Sequence, residues 1–235
     1  MTGAGTVNAE PYTFADVTVV MGTYNEEAAI EAVLTDIESV TDGRANVVCV
    51  DSSTDRTPEI AAAHGARVIE QEPQGYGVAV ASALDAADRP VVVTTDCDDT
   101  YPMEALPRFL ELINEGYDVV SGDRLSDGAE AMPPVNRFGN QAFAVLASLL
   151  MGRRVVDTTT GMRAYRRSVI ESIEWTENTG LSAELLMRPI GREYAVTEIP
   201  IDYDDRLGET TLDPLTGGAA IAKSILKVGV QERLR

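Results

Sequence analysis

Lysine is nearly missing from this sequence. Lys223 and Lys227 are the whole complement, so 17 of the 19 basic residues are arginine, against 38 Asp and Glu. With a formal net charge of -19, the chain lacks the basic footprint of a nucleic-acid-binding domain, and that class is excluded first. An acidic surface with almost no lysine reads as adaptation to a salt-loaded cytosol, where a Debye length of about 3 Å at 1 M screens self-repulsion. Cysteine is scarce as well. Cys49 and Cys97 sit in apolar runs, too few for a disulfide framework and placed like small buried hydrophobes. Long apolar runs are also missing. The longest uncharged run, Phe138 to Gly152, is 15 residues and contains Asn140 and Gln141, short of the roughly 20 needed to span a bilayer. Met1 to Asp16 has no basic start followed by an apolar stretch, so no signal peptide is read there. The expectation is a cytoplasmic chain, soluble or peripheral on the membrane.

What is present is ordinary globular material: 235 residues, 44% hydrophobic and 24% charged. Over the first 120 residues, strands and helices alternate. Val17–Met21, Val47–Val50, Arg67–Glu70, Pro90–Thr95 and Tyr117–Val120 read as strands. Between them, Asn25 reads as a helix cap, Thr57-Pro58-Glu59 as a helix start, and Gly75-Tyr76-Gly77 as the opening of a third helix. Strands alternating with helices imply right-handed βαβ units and a parallel sheet. The second half is less regular. Met132-Pro133-Pro134 breaks the pattern, and a helix follows from about Phe138 to Met151. An extended segment Asp157–Gly161, a helix near Ser182–Arg192, a strand Val196–Ile201 and a terminal helix Gly217–Arg235 complete the reading.

Two acidic segments stand at strand ends. Asp96-Cys97-Asp98-Asp99 directly follows the fourth strand. Residues two apart in extended backbone point the same way, so Asp96 and Asp98 converge while Cys97 points into the sheet. Such a pair suits Mg²⁺ or Mn²⁺ shared with a phosphate, although an acidic turn is also inexpensive in so acidic a chain. Asp51, with Ser52, Ser53, Asp55 and Thr57, ends the second strand. Ligands of open α/β sheets bind at such ends, and capping of the next helix explains part of this pattern. If the sheet begins in the order 3-2-1-4, Cys49 and Cys97 lie two strand spacings apart, about 9.6 Å, beyond the roughly 7 Å limit for a bridge.

Seven segments then carry a family resemblance. Met21-Gly-Thr-Tyr-Asn-Glu26, Asp51-Ser-Ser-Thr-Asp-Arg-Thr57, Gly75-Tyr-Gly-Val-Ala79 and Asp96-Cys-Asp-Asp-Thr-Tyr-Pro102 resemble, in order, the opening, nucleotide, glycine and metal motifs of family-2 glycosyltransferases. Ser121-Gly-Asp-Arg124, Asp157–Tyr165 and Glu198–Thr210 continue the match, and together they resemble the dolichyl-phosphate mannose/glucose synthase branch. The resemblance implies an α/β GT-A fold, a Rossmann-like, mostly parallel central sheet with helices on both faces. It implies a tail at 1–16, a catalytic domain at 17–212 and an amphipathic terminal helix at 213–235.

The implied reaction is inverting, metal-dependent transfer of a hexose from a GDP- or UDP-sugar to a polyprenyl (dolichyl) phosphate. Thr23, Tyr24, Glu26, Asp51, Gly75 and Asp96 would bind the nucleotide sugar. Asp96 and Asp98 would hold Mg²⁺ or Mn²⁺. Arg124, Arg137 and Arg206 would clamp the acceptor phosphate, and Glu184 would line the sugar pocket, with Asp98, Glu184 and Arg124 as the catalytic set. Gly22, Tyr101, Asp123 and Thr211 depart from the family pattern, which leaves the roles of Tyr101 and Asp123 open. The terminal cations beside Ile221, Ile225, Leu226 and Val228 suggest docking on a membrane surface. Two other classes fit parts of the pattern. Asp96–Thr100 with Gly122-Asp123 and Asp127 fits a haloacid-dehalogenase-type phosphatase, but the lysine that class needs between its motifs is missing. A non-catalytic nucleotide-sugar-binding domain would keep Asp51 and Gly75 without needing the acidic pair.

Overall fold

The computed structural model describes residues 10–126, 132–204 and 214–235. Seven strands form one sheet: β1 (Val17–Thr23), β2 (Asn46–Asp51), β3 (Arg67–Glu70), β4 (Val91–Thr94), β5 (Val119–Asp123), β6 (Arg163–Arg166) and β7 (Val196–Pro200). Their order is β3-β2-β1-β4-β6-β5-β7. β1 through β4 pair in parallel, as do β5 and β7, while β6 runs antiparallel between β4 and β5. The expected 3-2-1-4 start is therefore present. Cys49 lies in β2 and Cys97 just beyond β4, with β1 between them, and both are buried free thiols.

Helices cover both faces, and the alternation of apolar residues decides which. Val19, Met21, Val91 and Val93 pack toward α1 (Ile30–Thr41), α2 (Thr57–Ala63) and α4 (Leu106–Asn114). Val20, Val48, Val50 and Val92 pack toward α3 (Tyr76–Ala86), α5 (Pro134–Met151), α6 (Arg167–Ser172), α7 (Leu181–Gly191) and α8 (Pro214–Arg233). Every residue of β4 and β5 is buried, as a sheet covered on both faces requires. The short edge strand β3 exposes Arg67 and Glu70, charges that discourage further strand addition.

Four local readings are corrected. Asn25 does not cap α1, which begins at Ile30. Instead Asn25 sits at φ 55 and its side-chain oxygen accepts the Thr54 N–H at 2.8 Å, because a short amide tolerates the left-handed region. α5 begins at Pro134, four residues before the expected start at about Phe138, with the proline's fixed φ and missing N–H suited to the first position. β6 follows the Asp157–Gly161 segment, which is itself irregular. Polar Arg163 and Arg166 at both ends of this four-residue strand hide its pattern. The fifth strand lies at Val119–Asp123, two residues beyond the predicted start, so it carries Ser121-Gly122-Asp123 into the sheet. Arg206 and Thr211 lie outside the described residues, as does Asp127.

α8 is tied to α7 by a buried ionic network. Arg188 donates to Glu184 Oε1 (2.6 Å), Glu232 Oε1 (2.7 Å), Gln231 Oε1 (3.0 Å) and Thr176 Oγ1 (3.3 Å). Removing the shared cation leaves buried Glu184 with neutral donors alone and buried Glu232 with Arg192 at 3.8 Å. We expect Arg188→Ala to lower unfolding stability by about 3–5 kcal/mol, read by urea denaturation at fixed high salt. A loss below about 1 kcal/mol would show that the network adds nothing beyond a surface pair.

Candidate active site

The strands deliver their polar residues to one edge of the sheet. Thr23 and Asp51 are register partners at the ends of β1 and β2, and the Thr23 hydroxyl donates to Asp51 Oδ1 at 2.6 Å. Asp51 also accepts the backbone N–H and hydroxyl of Ser53 at 2.9 and 2.7 Å. The carboxylate thus closes its own turn while standing at the ligand-binding edge. The next turn is organised similarly, with Asp55 accepting from Thr57 and the Glu26 N–H donating to Thr57 Oγ1 at 2.9 Å. Burial disfavours the Asp55 charge, but the hydrogen bonds from Thr57 outweigh it and hold the carboxyl below its ordinary range. Tyr24 is exposed beside this turn and Glu26 is half-buried.

Gly75 and Gly77 have a packing reason. Gly75 sits at φ 102, and a Cβ on either glycine would collide with Asn178, whose side-chain oxygen accepts the Gly77 N–H at 2.9 Å. The pair therefore opens α3 tightly against the start of α7. It also places Tyr76, whose hydroxyl donates to Asp96 Oδ1 at 3.0 Å.

Asp96 and Asp98 follow β4. Asp98 is buried and accepts the Thr100 hydroxyl at 2.6 Å. Asp96 packs over Gly161, where any side chain would overlap its carboxylate. Both lie near Tyr203, whose hydroxyl is pushed up by burial against the pull of Arg124, with Asp98 and Asp96 adding to the rise. Asp99, at φ 64, turns the chain. Its carboxyl is raised by burial first, then by Asp36, Asp204, Asp98 and Glu104.

Opposite this pair stands a buried ion pair. Arg124 Nε and Nη2 donate to Asp157 Oδ2 and Oδ1 at 2.7 and 2.9 Å, a two-pronged contact. Arg124 also donates to Thr159 Oγ1 (2.8 Å) and to the Tyr101 hydroxyl (3.2 Å). Its guanidinium carbon lies 5.2 Å from the Tyr203 ring centre and 5.9 Å from that of Tyr101. Burial disfavours the Arg124 charge, but Asp157 outweighs it and holds the guanidinium charged. Burial likewise raises the Asp157 carboxyl, and Arg124 more than reverses that. Any contact of Arg124 with an acceptor phosphate therefore has to use what remains of a guanidinium already neutralised by Asp157.

Three further residues have partners of their own. Tyr101, at the family's histidine position, accepts the Gly161 N–H at 2.7 Å as well as the Arg124 N–H, so it joins the acidic turn to the 157–161 segment. Asp123 is buried, and its Oδ1 accepts the Leu125 and Ser126 N–H groups at 2.8 and 3.2 Å, closing the turn after β5. Glu184 was expected to line the sugar pocket, but it is 0% exposed. It accepts from the Thr176 and Glu177 N–H groups, the Thr176 hydroxyl and Arg188, which seals it from solvent. Arg137 is exposed on the first turn of α5.

Sequence reasoning assigned no role to Asp157, Tyr203 or Glu198. Glu198 Oε1 accepts the Val156 and Asp157 N–H groups at 3.0 and 2.9 Å and so holds the segment that presents Asp157. Their presence in quoted motifs was the only available signal, since the partnerships cross more than 30 residues.

Among the described residues no set of three or more His, Cys, Asp or Glu side chains could hold a metal alone. Asp96 and Asp98 suit a hard cation that takes its remaining oxygens from water and a substrate diphosphate. The side-chain-free surface of Gly161 leaves the Asp96 carboxylate its place.

Comparison with known proteins places this geometry. Residues 18–174 match glycosyl transferase family 2. The chain is 72% identical over 224 residues to a dolichyl-phosphate hexose transferase of Haloferax volcanii, covering 95% of this chain and 98% of that one. It is 34% identical over 209 residues to the low-salt glycan biosynthesis hexosyltransferase Agl6 of the same species, covering 85% of this chain and 50% of that one. Among solved structures it resembles glucosyl-3-phosphoglycerate synthase of Mycobacterium tuberculosis in complex with Mn²⁺, UDP-glucose and phosphoglyceric acid. The TM-score is 0.71 at 25% identity, over 92% of this chain and 79% of that one. The sheet is accordingly of the GT-A type, and the phosphatase reading is set aside.

Two outcomes are expected at this site. Tyr101→Phe leaves a buried Gly161 N–H without its acceptor and should cost about 1–3 kcal/mol in urea unfolding; an unchanged midpoint would remove Tyr101 from the wall. Asp157 has a depressed native pKa, so its contribution is complete above its unfolded value of about 3.9 and is lost as pH falls through the native value. Wild type should therefore lose more stability than Asp157→Asn between about pH 5 and pH 2, measured by urea midpoints at constant salt.

Proposed function

This chain belongs to glycosyl transferase family 2, and we propose that it transfers a hexose from a UDP- or GDP-sugar to a polyprenyl (dolichyl) phosphate with inversion at the anomeric carbon. The observation that carries this is the acidic pair Asp96/Asp98 after a buried parallel strand, facing a wall fixed by Arg124 and Asp157. The name of the 72% identical, nearly coextensive Haloferax relative supports the acceptor. The Mn²⁺ and UDP-glucose in the mycobacterial complex support a nucleotide diphosphate donor and a divalent cation.

In this reading Thr23 and Asp51 meet the base or ribose at the edge of β1 and β2, with Tyr24, Glu26 and Gly75 around the nucleotide. Asp96 and Asp98 would hold Mg²⁺ or Mn²⁺, which supplies positive charge to the departing diphosphate. Arg137 and Arg206 take the acceptor phosphate, and Arg124 positions the wall. A phosphate monoester has a second pKa near 6 and is largely ionised at neutral pH, so its oxygen attacks without a strong base. The chain's task is orientation and charge stabilisation. Direct attack is also consistent with Glu184, whose carboxylate is enclosed by Arg188 and the 176–177 turn rather than presented as a second nucleophile. With its acceptor embedded in lipid, the enzyme works peripherally on the cytosolic face of the membrane.

Asp96→Ala or Asp98→Ala should lower transfer at least about 100-fold, equivalent to roughly 2.7 kcal/mol at the transition state. Chelation should do the same, reversed by Mg²⁺ or Mn²⁺. The assay is product formation from a panel of nucleotide hexoses with polyprenyl phosphate. Full turnover by either variant, or in chelator, would overturn the metal assignment.

A further inference from the structure

α5 and α8 lie side by side and run parallel. Gly229 packs on Leu150, Gly218 faces Phe143, and the Arg233 guanidinium caps the Leu149 and Leu150 carbonyls at 2.5 Å. Their inner faces are buried through Ala144, Ala147, Ile225 and Val228. Their outer faces are apolar too. On α5, Val135, Phe138, Ala142, Val145 and Leu149 recur at spacings of three and four and are all exposed, with Phe138, Val145 and Leu149 at 75%, 60% and 69%. On α8, Leu226 and Val230 continue the surface, with Leu234 just beyond its end. Scattered exposed apolar residues are ordinary, but a stripe in register along adjacent helices is not.

The charge carried by these two helices and the residues that follow them is inverted relative to the chain, with Lys227 paired to Glu177. Positions 134–154 and 214–235 contain Arg137, Arg153, Arg154, Lys223, Lys227, Arg233 and Arg235, and both lysines are among them. Of the 38 acidic residues, these two stretches hold only Glu232, and that one is buried in the Arg188 network. A second copy docking by the same face would set these cations against one another. Docking by any acidic face would leave the apolar stripe against charge. A surface both apolar within and anionic at its rim satisfies both features. α5 begins ten residues after Arg124 in the chain.

We propose that the outer face of α5 and α8 docks the enzyme on an anionic lipid surface, with the apolar stripe inserted to headgroup depth and the cations at its rim. This inference rests on the acceptor reading above and adds where the lipid lies. At high salt the cations are screened, whereas apolar insertion is not weakened, so attachment persists in concentrated salt.

The test is co-sedimentation of the full chain with phosphatidylglycerol/phosphatidylcholine vesicles containing no polyprenyl phosphate, in 0.1 and about 2 M KCl. The triple variant Phe138→Gln/Val145→Gln/Leu149→Gln changes exposed positions only. Wild type should pellet at both salts. The variant should partition at least about tenfold less, while both transfer equally to a short-chain, water-soluble acceptor. Wild type remaining in the supernatant, or variant and wild type pelleting equally, would overturn the proposal. So would a dimer in sedimentation velocity that the variant abolishes without any vesicle binding. Because the vesicles lack acceptor, docking can succeed while the acceptor reading fails, and the reverse.

Discussion

The site's far wall depends on one ion pair. Arg124 leaves the end of β5, and Asp157 lies six positions before the start of β6; their two-pronged contact is buried. From it the contacts run outward in both directions. Glu198 in β7 holds the backbone of Val156 and Asp157, Arg124 meets Tyr101 and Tyr203, Tyr101 holds Gly161, and Gly161 packs under Asp96. Two charges buried together are not a source of net stability by default, since desolvation offsets their attraction. They do impose one arrangement, because either partner left alone would be a buried unpaired charge.

That arrangement suits a chain carrying a net charge of -19. In concentrated salt, exposed ion pairs such as Arg56–Glu27 or Arg44–Asp42 are screened. Pairs enclosed by protein keep their strength. The structure places its most extensive ionic contacts in such enclosures: Arg124–Asp157 within the candidate site, and Glu184–Arg188–Glu232 between α7 and α8. The surface is left to carry carboxylates that keep the chain solvated.

Much of the fold could be read from the sequence because parallel strands covered on both faces are apolar runs. β1, β2 and β4 are such runs, and their parallel pairing followed from the alternation with helices. β6 could not be read, since its buried Arg163 donates to Ser121 Oγ and the Thr158 carbonyl, partners 42 and 5 residues away. The acidic turn after β4 was legible as a local pattern. The roles of Glu184 and Asp123 were not. A carboxylate in a motif reads the same whether it faces a ligand or closes a turn, and only the donors around it separate the two.

The reversal of β6 explains how these distant segments meet. In an all-parallel sheet each strand contributes its end to the ligand edge and its beginning to the opposite edge. β6 pairs antiparallel to both β4 and β5, with Arg163 opposite Thr94 and Ser121. Its beginning therefore lies where β4 and β5 end. The segment entering it, Asp157 to Met162, is brought between Asp96 on one side and Arg124 on the other, and Thr94 Oγ1 fixes it by donating to the Gly161 carbonyl at 2.7 Å. A parallel β6 would have sent Asp157 to the far edge and left Arg124 a buried cation without a carboxylate. One reversed strand thus lets this sheet close its second wall, and Gly161 lets that wall approach Asp96 without a side chain intervening.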